Sequence, residues 1–141
     1  MSIFETKFLR FKEDYLSDQF ISLQTHPALV GLVFSLGLWF FTKFKKPLII
    51  TAVWRTKAEQ QKLYGTQNPP ESPHYCNPRC RAVDVRVRDW SEDEELATIG
   101  WIQFHFPRDD DKKTAFIHGD GDSRHCHIQY PSKNGYDGED T

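Results

Sequence analysis

The most apolar segment of the chain, Pro27 to Phe44, constrains the fold most because so much apolar surface must be buried. Thr25 as a cap and Pro27 in the first turn are typical of a helix start. The end is marked by a basic cluster and a proline: Lys43, Lys45, Lys46 and Pro47. The unbroken apolar run is shorter than the roughly 18 residues that a membrane span needs. We therefore predict a buried core helix and no stable membrane insertion.

The composition bounds the remaining possibilities. A chain of 141 residues suits one domain with a real core. Its net charge of -2 argues against a nucleic-acid binder that relies on phosphate neutralisation. Three cysteines cannot all pair with one another, so the chain is not a disulfide framework. Charges interrupt every apolar run in the first twenty residues, so we expect no signal peptide and synthesis in the cytoplasm. We also expect a monomer.

Three consecutive regions are predicted within this domain. They are N-terminal helices in residues 1–46, a core in 47–131 and a flexible, Gly-rich acidic tail in 132–141. An amphipathic helix is expected before residue 24, because aromatic side chains recur there at helical spacing. These aromatic residues are Phe4, Phe8, Phe11 and Tyr15.

The core is predicted to begin with a strand and a short helix. Leu48 to Trp54 is short, β-branched and preceded by a proline, which is typical of a strand. Thr56 and Glu59 have the spacing of a capping box, and Gly65 supplies a stop. We therefore expect a helix from Thr56 to Tyr64.

The second half of the core adds strands and one more helix. Ala82 to Val87 alternates apolar and polar residues as a strand does. Ser91 and Glu94 form a second capping box, which starts a helix running to about residue 104. Residues 114–118 and 124–130 are predicted strands joined by the turn sequence G-D-G-D. Without regular βαβ alternation, these elements indicate an α+β domain: a small antiparallel sheet with flanking helices.

Two short stretches carry residues suited to metal chemistry. S-P-H-Y-C-N-P-R-C-R-A-V-D contains His74 and Asp84, and D-S-R-H-C-H-I-Q contains His125 and His127. Residues two apart on a strand point the same way, so both histidines of H-C-H should face one site and Cys126 the other face. Two histidines and an aspartate can form a catalytic zinc site that keeps one position open for water. A surface or hydrogen-bonded role is the alternative for any single histidine.

The order of these motifs resembles the zinc peptidases of the D-alanyl-D-alanine carboxypeptidase type. That family includes phage endolysins that cut L-alanyl-D-glutamate bonds and the D,D-dipeptidases of vancomycin resistance. The similar features lie between about Leu48 and Gln129: a strand followed by Arg, a capped helix ending in L-Y, then S-x-H, A-x-D and a closing H-x-H. The resemblance implies a hedgehog/lysostaphin-like fold with the zinc site on the sheet.

Carried over residue by residue, the resemblance implies that His74, Asp84 and His127 bind zinc. It also implies that Arg55 and Ser72 contact the substrate, with Arg55 holding a carboxylate or a carbonyl. A guanidinium at the end of a strand can bind a carboxylate through two parallel hydrogen bonds. A surface salt bridge is the alternative for this arginine.

The acid/base group departs from the family pattern. Many members have Glu or Asp three residues before the final ligand histidine, where this chain has Arg124. Either His127 binds zinc and His125, helped by Asp122, handles the proton, or His125 is the ligand and Asp122 the acid/base. The continuation H-I-Q-Y favours His127, because it matches the strand of the family.

The interval between His74 and Asp84 is about three residues longer than in the family and contains Cys76 and Cys80. Thiolates bind zinc well, so these cysteines could belong to a structural zinc site completed by Cys126 or by the H-x-H pair. A disulfide within the interval, or reduced cysteines without a role, are the alternatives.

From these features we expect a zinc metallopeptidase that hydrolyses peptidoglycan stem peptides at bonds of the D-Ala-D-Ala or L-Ala-D-Glu type. The expected settings are phage lysis, with action at the cell wall after release, or a cytoplasmic dipeptidase. Two rival hypotheses remain. One is a non-catalytic cell-wall or peptide-binding domain that keeps the fold, and the other is a structural zinc module using Cys76 and Cys80.

Overall fold

The computed structural model describes residues 6–54, 57–67, 74 and 79–132, and its described part contains one five-stranded sheet flanked by helices. The strands are β1 (Leu9–Phe11), β2 (Leu48–Ala52), β3 (Ala82–Arg86), β4 (Ala115–His118) and β5 (His125–Gln129). The helices are α1 (Asp14–Phe20), α2 (Pro27–Phe44), α3 (Lys57–Tyr64) and α4 (Glu92–His105). The spatial order is β1-β2-β3-β5-β4, and the predicted α+β class is confirmed.

The sheet is antiparallel except at one edge. β2 with β3, β3 with β5 and β4 with β5 are antiparallel pairs, whereas β1 pairs with β2 in parallel. The predicted helix through Phe8, Phe11 and Tyr15 is therefore wrong in its first half. Leu9 and Phe11 are buried on either side of an exposed residue, which is the period of a strand, and backbone hydrogen bonds such as Lys12 N to Ile50 O hold β1 against β2.

The helix predicted from Pro27 to Phe44 is confirmed with those bounds. Its start differs in one detail, because His26 caps it in place of Thr25: the His26 Nδ1 atom accepts from the Ala28 amide at 3.1 Å. One face of α2 enters the core through Leu29, Leu32, Val33, Leu36, Gly37 and Phe40. By length and composition α2 could also cross a membrane, since its mean hydropathy is 1.5, and a third of it is buried here.

The local signals around α4 and the β4–β5 connection match the structure. Ser91 and Glu94 form the predicted capping box of α4, with both reciprocal hydrogen bonds present. The G-D-G-D connection contains a short 3-10 turn, Gly121–Ser123. Gly119 has a φ of 86°, and a Cβ atom there would lie 2.6 Å from the Ser123 carbonyl oxygen, so a larger residue would distort the connection. The capping residue predicted for α3, Thr56, lies outside the described residues.

The two faces of the central strands have different environments. Val83, Val85, Cys126 and Ile128 are fully buried in the cluster that also contains the inner residues of α1, α2 and α4. The alternate residues of β3 and β5 lie on the opposite face, where Asp84, Arg86, His125 and His127 are only partly buried. This open face carries the polar residues of both strands.

Candidate metal centre

Three side chains meet on the open face of the sheet. Asp84 of β3 is paired across the strands with His127 of β5, and His74 approaches from the segment that precedes β3. The His74 Nε2 atom and the His127 Nδ1 atom each lie 3.1 Å from the Asp84 Oδ1 atom. One ligand atom from each residue lies within 4.8 Å of the others, so the three form a group that could hold a metal ion.

The orientation of His74 is set by the backbone. Its Nδ1 atom lies 2.6 Å from the Val53 carbonyl oxygen, at the end of β2. A carbonyl oxygen can only accept, so Nδ1 carries the proton. In the neutral ring, Nε2 then presents a lone pair toward Asp84. Such a hydrogen bond on the far nitrogen is the usual way in which proteins orient a metal-binding histidine.

The orientation of His127 is set by Gln129, two residues further along β5. The Gln129 Nε2 atom donates to the Lys113 carbonyl oxygen at 2.9 Å, which fixes the amide orientation. The Gln129 Oε1 atom therefore faces the His127 Nε2 atom, 3.2 Å away, and accepts a hydrogen bond from its N–H group. In the neutral ring, the Nδ1 atom of His127 also presents a lone pair toward Asp84.

Three acceptor atoms thus converge on one point, and this arrangement fits a cation. The carboxylate has no proton to donate, so neutral rings would leave these atoms facing one another without a hydrogen bond. Ligands bonded to tetrahedral zinc at about 2.0–2.1 Å stand about 3.3 Å apart, close to the separations of both rings from Asp84. The carbonyl and the amide that orient the rings complete the arrangement of a metal site.

Asp84 is ionised at neutral pH in this environment. Burial alone would raise the pKa of its carboxyl, but hydrogen bonds from His127 and His74, with the charges of His74 and His125, hold that pKa well below its usual range. Metal ligands must be deprotonated to bind, so the binding of a cation here would be coupled to pH.

His125 lies beside this group without belonging to it. Its Nε2 atom is 3.5 Å from the Asp84 Oδ1 atom, and its Nδ1 atom donates to the Ser123 carbonyl oxygen at 2.7 Å. The neutral ring therefore keeps a lone pair on Nε2, at the edge of the group. Asp122 is exposed on the connection before β5, and the orienting partner of His125 is the Ser123 backbone.

Arg124 holds the connection before β5 against α4. Both of its terminal nitrogens bond the two Glu95 carboxylate oxygens, each at 2.6 Å. The hydrogen bonds and charge of Glu95 raise the pKa of the Arg124 guanidinium. The position where many members of the resembled family have a carboxylate is thus occupied by a cation that is paired with Glu95.

His74, Asp84 and His127 are called the metal group below, because together they could hold an ion. A cavity of about 480 Å³ opens beside Asp84 of this group. Asp84 and His125 belong to its wall, together with residues from β2, the end of β3 and the connection before β5. The other wall residues are Lys12, Thr51, Ala52, Arg86, Val87, Arg88, Trp90, Gly121, Asp122, Ser123 and Arg124. The cavity offers a ligand room directly next to the three converging acceptors.

The two cysteines within the described part of the chain lie apart from the metal group. Cys126 points into the core, as its place between His125 and His127 predicts, and burial raises the pKa of its thiol. Cys80 is buried, and its Sγ atom donates to the Val53 and Ala82 carbonyl oxygens. Cys76 lies outside the described residues.

The structure locates most of the residues singled out in the sequence. His74, Asp84 and His127 come together, and His125 and Asp122 line the adjacent cavity. Arg55 and Ser72 lie outside the described residues. Three further features were not singled out in the sequence: Gln129 and the Val53 carbonyl, which orient the rings, and Arg86, which lines the cavity. The pattern H-x-H-x-Q could have pointed to Gln129, because it places all three side chains on one face of a strand.

Comparisons of the chain with protein-family models, with curated proteins and with solved structures gave no match.

Proposed function

We propose that this protein is a zinc-dependent peptidase that hydrolyses peptidoglycan stem peptides. The observation that carries the proposal is the convergence of His74, Asp84 and His127 at a cavity, with both rings oriented by acceptors on their far nitrogens. Three protein ligands leave one coordination position open, which is the arrangement of catalytic rather than structural zinc sites.

Zinc in such a site polarises a carbonyl group and lowers the pKa of water in the open position. The chain itself supplies the binding, the orientation and the proton transfer. His74 and His127 present lone pairs toward Asp84 because the N–H group on the other nitrogen of each ring donates a hydrogen bond, to the Val53 carbonyl oxygen and to Gln129 Oε1 respectively. Asp84 supplies the negative charge that would attract a dication to the site.

His125 is the proposed acid/base group. Its Nε2 atom lies 3.5 Å from the Asp84 Oδ1 atom, and the residue lines the cavity. Its ring is fixed by the hydrogen bond from Nδ1 to the Ser123 carbonyl oxygen. In this position Nε2 can take a proton from an attacking water and pass it to the leaving amine. Asp122 shares the cavity wall and is the alternative proton acceptor.

The choice of peptidoglycan as substrate rests on the order of sequence motifs: a strand with Arg, a capped helix, S-x-H, A-x-D and H-x-H. The open face of the sheet supports it, because the cavity lined by Asp84 and His125 offers room for a ligand. The proposed metal site therefore rests on geometry, and the peptidase reaction and its substrate class rest on resemblance.

The direct test is a digest of purified cell wall with the zinc-loaded protein, followed by mass analysis of the fragments. We expect new amino and carboxyl termini within the stem peptides, and no new termini after treatment with a chelator. Zinc bound at one ion per chain with no cleaved peptide, for a range of wall types, would contradict the peptidase and leave a binding domain.

Single variants test the roles of the histidine pair. His127→Ala and Asp84→Ala should lose zinc while the fold survives, because each removes a ligand atom. His125→Ala should keep zinc and lower turnover by about 100-fold to 10,000-fold, the usual contribution of a positioned acid/base group. Zinc content and wall hydrolysis are measured on the same preparations. Zinc retained in His127→Ala and lost in His125→Ala would reverse the assignment.

A further inference from the structure

The cavity beside the metal group has a surplus of positive charge. Lys12, Arg86 and Arg88 line it, and none of them makes an ion pair or a side-chain hydrogen bond within the part of the chain that the structure describes. Arg124 also lines it, but Glu95 neutralises that guanidinium. Such a surplus attracts an anionic ligand.

Two carboxylates in the wall reduce this charge only partly. Asp84 belongs to the metal group, where a dication would more than compensate it. Asp122 is exposed at the rim, on the connection before β5. The three unpaired cations on the side of β1 and β3 therefore outnumber the one carboxylate that remains.

Arg86 is the cation best placed to act on a ligand at the metal. It lies two residues from Asp84 on β3, so both side chains share the open face. It is paired directly with His125 across the strands, as Asp84 is paired with His127. Direct pairs have their Cβ atoms about 4.5–5.5 Å apart, so Arg86 stands one step along the sheet from the metal group.

Arg86 differs from the other two cations in its burial. Arg86 is half-buried, whereas Lys12 and Arg88 are exposed. A charge removed from water is screened less, so a given anion interacts more strongly with Arg86 than with an exposed lysine or arginine. The planar guanidinium also matches a carboxylate through two parallel hydrogen bonds.

The opposite side of the metal group has a different character. Phe116 of β4 is paired with His127, and its ring centroid lies 5.0 Å from that of the imidazole. The open face is thus aromatic toward β4 and cationic toward the end of β3. A peptide with one anionic end has a preferred direction across such a surface.

We propose that Arg86 binds a carboxylate of the substrate and so sets the direction in which the peptide crosses the metal group. The inference rests on the proposed peptidase function and deepens it. It names a specificity residue that the sequence motifs do not contain, and it makes an anionic peptide the substrate class. An amide in place of that carboxylate lacks the charge and one of the two acceptor oxygens.

The test uses pairs of peptides that differ only in a carboxylate or its carboxamide. One pair is acetyl-lysyl-D-alanyl-D-alanine with a free or an amidated C-terminus. The other is an L-alanyl-γ-D-glutamyl peptide with a free or an amidated α-carboxylate. Affinity for the zinc-loaded full chain is measured by calorimetry, and where a peptide is cut, the same ratio is taken from kcat/KM.

We expect the wild type to prefer one carboxylate peptide over its amide by at least tenfold. Arg86→Gln should abolish this preference. Arg86→Lys should keep part of it, since the positive charge remains but the two parallel donors of the guanidinium are lost. The matched control is Arg10→Gln, which removes the same charge from an exposed position of β1 outside the cavity. Zinc content and thermal unfolding of each variant show that the site and the fold are intact.

The outcomes separate this inference from the proposed function. Carboxylate-selective binding that depends on Arg86, without any cleavage, would support the role of Arg86 and contradict the peptidase. Cleavage with no carboxylate preference, or with a preference that Arg86→Gln retains, would overturn the role of Arg86 alone. Failure of the wild type to bind any of the four peptides would also overturn it.

Discussion

The two faces of β3 and β5 are made from alternate residues of the same ten positions, yet their chemistry is opposite. The buried face carries Val83, Val85, Cys126 and Ile128, and the open face carries Asp84, Arg86, His125 and His127. A shift of one residue in the pairing of either strand would exchange these sets. Packing of the buried face therefore positions the candidate metal ligands, because the register that closes the core also aligns Asp84 with His127.

The largest effect on stability is expected from a charge placed in the core, on the side of the sheet that the helices cover. Leu36 of α2 is fully buried, and Leu38 is 55% exposed. Leu36→Glu buries a carboxylate without a partner and should cost more than about 4 kcal/mol of unfolding free energy. Leu38→Glu should change it by about 0.5 kcal/mol or less. Chemical denaturation and fractionation without detergent check both variants. Recovery of the wild type only in detergent would contradict the predicted core role of α2.

A smaller effect is expected from changes at two adjacent residues of β5 that lie on opposite faces of the sheet, Ile128 and His127. Ile128→Ala leaves a cavity and should lower the unfolding free energy by about 2–5 kcal/mol, with zinc still bound to the folded fraction. The adjacent His127→Ala should lose zinc, while its stability in chelator changes by about 1 kcal/mol, the net contribution of a hydrogen bond. Denaturation in chelator and metal content distinguish the two. Zinc loss from a folded Ile128→Ala protein would mean that the faces are not independent.

The smallest effect is expected at the ion pair that ties the open face to α4. Glu95→Gln should change stability by about 0–1 kcal/mol, because the pair with Arg124 is partly exposed. It should still lower wall hydrolysis several-fold, since the connection that orients His125 loses its anchor. Lys46→Gln is the control, because it breaks the pair of Lys46 with Glu94 on the same helix. Equal activity of the two variants would show that the anchor has no role in positioning.

Local signals predicted those elements whose cause is local. The capping box of Ser91 and Glu94 and the apolar stripe of α2 lie within single segments, and the structure contains both. The alternation in H-C-H correctly placed Cys126 in the core and both histidines on the other face. The N-terminal strand could not be predicted this way. Leu9 and Phe11 suit a helix or a strand, and the parallel pairing with β2, thirty-nine positions away at Leu9↔Leu48, decided between them.

The sequence by itself determined which residue types are available and which face of a strand each would share. Those properties depend on side-chain chemistry and on the fixed two-residue period of a strand. Only the tertiary structure decided that His127, and not His125, lies with His74 and Asp84. The reason is that the choice depends on the pairing of β3 with β5 and on the acceptors that orient the two rings, Gln129 within β5 and the Val53 carbonyl from another segment. That Arg86 has no ion-pair partner among the described residues has the same origin, because it depends on which distant segments fold against the open face.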